Sequence, residues 1–214
     1  MSTKVDVRKR KESLERAIEA AIIARPEVLG FPGAVAIRNF RLAKESGAVD
    51  VLLIPQGGPI RLALIETKVA LAPDAACKVV GQLLMYYAGA LELGSQGIET
   101  LRNFAGHCAD IAHHTKRISP QKVVRNVDGI HCTNDQAMEL LRYGKSVTPE
   151  EIALFIALDG KPHHVLQPLL GNLRELHGLN IGLVVVRNGT PTLSLPGSGQ
   201  QIVRRERAEA CFVT

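Results

Sequence analysis

The 214-residue chain contains no Trp, three Tyr and five Phe, so aromatic residues make up only 4% of it. Surfaces that hold single strands by stacking bases on successive rings need more aromatics than this, interleaved with basic residues, and no such stretch occurs. Cysteine is equally sparse. Cys77, Cys108, Cys132 and Cys211 are far apart and form no C-x-x-C pair, which excludes a disulfide scaffold and points to free thiols in a reducing compartment. No uncharged apolar run reaches the length of about 18 residues that a membrane span needs. The first residues carry charges among their apolar positions, unlike a secretory signal. A cytoplasmic protein without a membrane partner is therefore the expectation. Internal repeats and low-complexity segments are also missing.

What is there is an ordinary globular balance, 46% hydrophobic and 22% charged, long enough for one domain with a sizeable core. Basic residues outnumber acidic ones by 26 to 21, a net charge of +5 that permits a polyanionic partner without demonstrating one. Arg8-Lys9-Arg10-Lys11 and Arg204, Arg205 and Arg207 suit either phosphate contacts or solvated tails.

Periodicity sets the order of elements. Leu14, Ala17, Ile18, Ala21 and Ile22 form a helical stripe that must stop before Pro26. Residues 35–40 alternate as a strand does. Residues 49–54 and 60–69 are two β-rich runs joined by Pro55-Gln56-Gly57-Gly58-Pro59, a hairpin signal. Helices are predicted over 76–93, over 99–116, and from a cap at Asn134 or Asp135 to Gly144, with an extended segment around 123–132. Apolar runs at 152–158 and 181–186, separated by a helix near 164–177 that ends at Gly178, make a β-α-β unit with parallel strands. Asn188-Gly189 turns the chain into a last strand at 191–195.

The hairpin carries the chemistry. Its loop centres near residue 57.5, so Asp50 and Glu66 are expected nearly opposite each other on one face of the pleat, with Lys68 on the same face. Opposed like charges destabilise a ladder, and a bound cation would remove the conflict. A hard divalent cation takes oxygen ligands, which Asp50, Glu66 and the Thr67 carbonyl supply. Lys68 then has the role of orienting the attacking water or stabilising charge at the scissile phosphate. On the helix over 76–93, Lys78, Gln82 and Tyr86 recur every four residues and draw one polar line down an apolar helix. Such a line faces either solvent or a polar site.

The pattern Asp50…Glu66-Thr67-Lys68 resembles the D…(D/E)-x-K signature of the restriction-endonuclease-like, or PD-(D/E)XK, nuclease superfamily. Gln82-Leu83-Leu84-Met85-Tyr86 is similar to the Q-x-x-x-Y element of its RecB-like and NucS-like branch, on the helix after the catalytic strand. Leu14-Glu15-Arg16-Ala17-Ile18 with Arg25-Pro26-Glu27-Val28-Leu29-Gly30 resembles the first helix of that branch, which carries a site glutamate and ends in a Pro-Glu-Leu-Leu-type turn. The likeness spans about residues 12–94; Val49 stands where many members have Pro.

The resemblance implies an α/β, restriction-endonuclease-like fold with a mixed central sheet flanked by helices. It implies one nuclease domain over 1–214, with its core at about 12–94 and 150–195 and a helical insertion at about 95–149 suited to substrate selection or a homodimer contact. It further implies an Mg²⁺- or Mn²⁺-dependent endodeoxyribonuclease in DNA repair or defence against foreign DNA, leaving 5′-phosphates, with RNA as the alternative polymer. Metal would be handled by Asp50, Glu66, Thr67 and Glu15, the nucleophile by Lys68, and positioning by Gln82 and Tyr86. Glu12, Glu15 and Glu19 share one helix face, so the helix glutamate is Glu15 first and Glu19 second. A non-catalytic nucleic-acid-binding or assembly subunit on the same fold is the alternative.

His107-Cys108, His113-His114 and His131-Cys132 match no compact zinc-ligand spacing, and nothing near these thiols suggests a Cys/His nucleophile. His163-His164 falls in the entry turn of a predicted helix. Gly57-Gly58 and Gly197-Ser198-Gly199 lack the lysine and flanking elements of a phosphate loop.

Overall fold

Six strands of six or seven residues and two short ones form one mixed sheet, flanked by helices on both faces, in a computed structural model that describes residues 4–42, 47–55, 57–70, 75–91, 124–125, 130–132 and 147–195. In chain order the elements are α1 (Lys4–Ala24), a 3₁₀ turn (Pro26–Leu29), β1 (Val35–Arg41), β2 (Ala48–Ile54), β3 (Leu62–Lys68) and α2 (Ala75–Leu91). There follow β4 (Val124–Arg125), β5 (Ile130–Cys132), a 3₁₀ turn (Pro149–Glu151), β6 (Ile152–Leu158), α3 (Leu166–His177), β7 (Ile181–Arg187) and β8 (Thr190–Leu195). The spatial order is β4-β5-β1-β2-β3-β6-β7-β8. The pairs β3/β6 and β6/β7 are parallel and the rest antiparallel, so the expected β-α-β unit extends the hairpin directly.

Alternating side chains divide the core into two layers. On one face Val79, Val80, Leu83 and Tyr86 of α2 and Leu166 and Leu170 of α3 pack over Leu52, Leu62, Leu64, Leu154, Ile156, Ile181 and Leu183. On the other face Ile18, Ala21 and Ile22 of α1, with Leu29 and Phe31, pack over Val51, Leu53, Ala63, Ile65, Phe155 and Val184. β6 is buried along its whole length, as a parallel strand covered on both faces should be. Its start is fixed by the main chain: Arg61 N–H donates to the Glu151 carbonyl at 2.8 Å, just before the rung Leu62↔Ile152.

One boundary differs from the sequence reading. α1 begins ten residues before the apolar stripe, because its exposed first half is held by i,i+4 ion pairs, Arg8 to Glu12 at 2.9 Å and Lys11 to Glu15 at 3.8 Å. The extended segment expected around 123–132 carries β4 and β5, and β5 pairs with β1 through Ala36↔His131 and Ile37↔Ile130. The helices expected at 99–116 and 134–144, together with His107, Cys108, His113, His114 and the basic residues at 204–207, lie outside the described residues.

One glycine is fixed by close approach. A Cβ on Gly182 would stand 2.7 Å from the Phe155 ring and 2.9 Å from the Leu195 carbonyl oxygen. Phe155 is itself locked edge-on against Phe31, with ring centroids 6.0 Å apart. Gly182→Ala is therefore expected to lower the unfolding free energy by about 1–3 kcal/mol, the usual cost of overpacking a filled core. Urea denaturation measures this, and an unchanged midpoint would show that the ring can yield.

Candidate active site at the end of the central strand

The β2/β3 ladder has the register that the hairpin loop predicts, Val51↔Ile65, Leu52↔Leu64 and Leu53↔Ala63. Asp50 and Glu66 would form the next rung, but no rung forms there. Instead the Asp50 carboxylate crosses to β3, where its Oδ2 accepts from Thr67 N–H at 2.7 Å and from Thr67 Oγ1 at 2.9 Å. The expectation that Asp50 and Glu66 stand opposed on one face is thus corrected: the register holds, but Asp50 is turned onto Thr67.

The reason lies on β1. Val35 and Ile37 pack in the α2 layer and Ala36 in the α1 layer, as alternation requires, yet Phe40 returns to the α2 layer three residues after Ile37. β2 breaks step at the matching place, with Val49 in the α2 layer three residues before Leu52. The β1/β2 pairing runs Ile37↔Leu52, Arg38↔Val51 and then Phe40↔Val49, so the interruption falls on Asn39 and Asp50. Asn39 has φ 52°, a left-handed conformation within a strand.

Glu66 is 1% exposed and Thr67 is fully buried. Lys68 Nζ donates to Glu66 Oε1 at 2.5 Å. The Tyr86 hydroxyl reaches the same carboxyl group from α2, while Glu66 Oε2 is buried without a hydrogen-bond partner of normal geometry. Burial, and then the neighbouring Asp50, push the Glu66 carboxyl up to about 7 against the pull of Lys68. Burial works against the Lys68 ammonium, but Glu66, Asp50 and Glu15 outweigh it and hold its pKa above the ordinary lysine value.

The line Lys78, Gln82, Tyr86 runs from solvent into this site. Lys78 and Gln82 are exposed and Tyr86 is buried. Gln82 bonds to the Tyr86 hydroxyl, so it reaches Glu66 only through Tyr86, whose pKa burial and Glu66 push upward.

The three helix glutamates separate. Glu12 pairs outward with Arg8. Glu15 reaches the end of β3, where Val69 N–H donates to it and Lys68, with Lys11, opposes the rise in its pKa that burial causes; its Oε1 is buried without a hydrogen-bond partner. Glu19, 8% exposed, lies 3.7 Å from Arg38 Nε and also senses Asp50. The structure therefore brings Asp50, Glu66, Thr67, Lys68, Glu15, Tyr86 and, through Tyr86, Gln82 together.

Among the described residues no group of three or more His, Cys, Asp or Glu side chains is placed to hold a metal ion. The donor set at the end of β3 is nevertheless all oxygen, with two buried carboxyl oxygens lacking hydrogen-bond partners, which suits a hard cation and not zinc.

Sequence reading missed Arg38, Asn39 and Asp159. Arg38 had a signal as the one charge in an alternating apolar run, and Asn39 as a strand-disfavouring residue beside it. Asp159 had none: its carboxylate accepts from Ala70 N–H at 2.7 Å and ties down the chain leaving β3.

Burial pushes the Glu19 carboxyl up to about 7 from 4.5, with Arg38 opposing and Asp50 assisting. The folded protein thus holds this proton more tightly than the unfolded chain, a contribution complete below the unfolded value and lost as pH rises through the folded one. In metal-free buffer, Glu19→Gln should become more favourable relative to wild type between about pH 5 and about pH 8. Urea unfolding at both pH values checks this, and a variant effect independent of pH contradicts it.

Comparison of the chain with protein-family models, curated proteins and solved structures gave no match, so the reading of the site rests on its own geometry.

Proposed function

We propose that the protein is a metal-dependent nuclease of the restriction-endonuclease-like fold that hydrolyses phosphodiester bonds of DNA, as an endonuclease in DNA repair or in defence against foreign DNA. The observation that carries this reading is the buried Glu66 carboxyl, whose Oε2 has no hydrogen-bond partner of normal geometry although Asp50, Lys68 and Tyr86 stand around the group. An orphaned buried carboxyl oxygen is costly unless a further ligand completes it. Asp50, Glu66 and the Thr67 carbonyl would hold Mg²⁺ or Mn²⁺, with Glu15 as the outer carboxylate.

When bound, the cation polarises the scissile phosphate and offsets the charge that develops on it. The chain's own residues supply the rest. Thr67 fixes the Asp50 carboxylate through two hydrogen bonds from one residue. Lys68, kept protonated by three carboxylates, presents a positive charge where the attacking water and the pentacovalent phosphate would lie. Tyr86, steadied by Gln82, orients Glu66. Mild net positive charge draws the polyanion to a site that is itself acidic.

The second reading, a nucleic-acid-binding or assembly subunit with an idle site, is favoured by one observation: Lys68 already neutralises Glu66 directly. Cleavage assays separate the two. Wild type with Mg²⁺ or Mn²⁺ is expected to cut linear, branched, mismatched or single-stranded DNA, and Lys68→Ala to be slower by about 10²–10³-fold, the usual effect of removing one donor to a developing anion. Equal activity of the two proteins would point to a contaminant. Salt-dependent DNA binding that ignores EDTA, with no cleavage under any metal, would establish the idle subunit, and preference for RNA would change the substrate alone.

A further inference from the structure

We infer that Asn39 is a positioning residue of this site, whose left-handed backbone turns Asp50 out of the sheet ladder and onto Thr67. The inference deepens the nuclease reading, because it concerns the orientation of a proposed ligand.

Three independent observations converge on one rung. Asn39 has φ 52° near the middle of a seven-residue strand, where an L-residue other than Gly pays for that conformation. The β1/β2 pairing skips the rung Asn39↔Asp50 while Arg38↔Val51 and Phe40↔Val49 on either side are in register. Both strands change faces across it, since Ile37 and Phe40, and likewise Val49 and Leu52, lie three residues apart in one layer. Had alternation continued, Phe40 and Val49 would point to the α1 layer, and Asp50 would stand beside Glu66.

A half-step of pleat changes this. Asp50 leaves the α2 face, and its Oδ2 meets Thr67 N–H and Oγ1. There it is felt by Glu66 and Lys68 as well as by Glu15 and Glu19 of α1. A regular strand would place Asp50 within reach of one helix layer only. Asn39 is exposed, and no packing of its side chain accounts for the conformation; asparagine is among the few residues besides glycine that tolerate it. Conformational cost held in place at a site by the surrounding structure is the pattern expected of pre-organisation.

The test compares Asn39→Gly, which keeps the left-handed conformation accessible, with Asn39→Val, which forbids it. Titration with Mn²⁺ alone should give Asn39→Gly an affinity close to wild type and weaken Asn39→Val by about 10- to 100-fold, as when the support of a ligand is removed. Crystal structures of the metal-free variants should keep the Asp50 to Thr67 contact in Asn39→Gly and lose it in Asn39→Val. If Asn39→Val fails to fold, Asn39→Ala, which resists the conformation less, should fall between glycine and wild type on one side and the loss of the contact on the other. An Asn39→Val protein that keeps both contact and affinity overturns the inference. So does an Asn39→Gly protein as impaired as Asn39→Val, because the side chain and not the backbone would then matter. If wild type itself binds no Mn²⁺, the metal reading fails, and the crystal structures still decide whether Asn39 sets Asp50.

Discussion

Keeping the Glu66 carboxyl inside the protein is the constraint around which the end of β3 is arranged. A carboxylate withdrawn from water needs a countercharge and hydrogen bonds, and here the counterion comes from the same strand, two residues on, so it needs no other element to find it. On its parallel neighbour β6, Glu66 faces Ile156 across the rung, which offers the carboxyl no polar relief from that side. Relief comes from α2, through Tyr86, and from the charges that gather where the antiparallel ladder has run out. The position at the end of a ladder is itself the solution, because there backbone donors such as Thr67 N–H are left over for side chains to use.

The elements were legible because hydrophobic period is a local property. β6, β7 and the Gly178 end of α3 fall where the apolar runs and the glycine put them. Register followed from the hairpin loop, since a short connection leaves few ways to pair its strands. What alternation could not show was a place where it stops. The run Val35 to Phe40 reads as a regular strand in residue types alone, and the face change at Asn39 depends on Phe40 and Val49 both finding room in the α2 layer. The sequence also put Glu12, Glu15 and Glu19 on one helix face, with Glu15 ranked before Glu19. Their separation required knowing that Arg38 and Val69 lie at different distances along the strands beneath.

Two carboxylates on α1, one turn apart, meet different partners and so acquire different characters. Glu15 looks toward Lys68 and the main chain after β3, whereas Glu19 is set against Arg38, a residue on the far side of β2. A helix laid across three strands can thus address each strand with a separate turn, and a change of crossing angle would alter both contacts together. The shared neighbour is Asp50, which lies on the strand between them.

The parallel pairing of β3 with β6 joins strands that are more than eighty residues apart in the chain. The connection leaves from the site strand, carries α2 over one face, adds β5 beside β1 two strands away, and returns to the immediate neighbour of β3. The entropy of closing such a loop rises only with the logarithm of its length, about 0.6 kcal/mol per doubling. Residues added on either side of β4 and β5 would therefore cost little in closure entropy, and the rung Glu66↔Ile156 would keep its register.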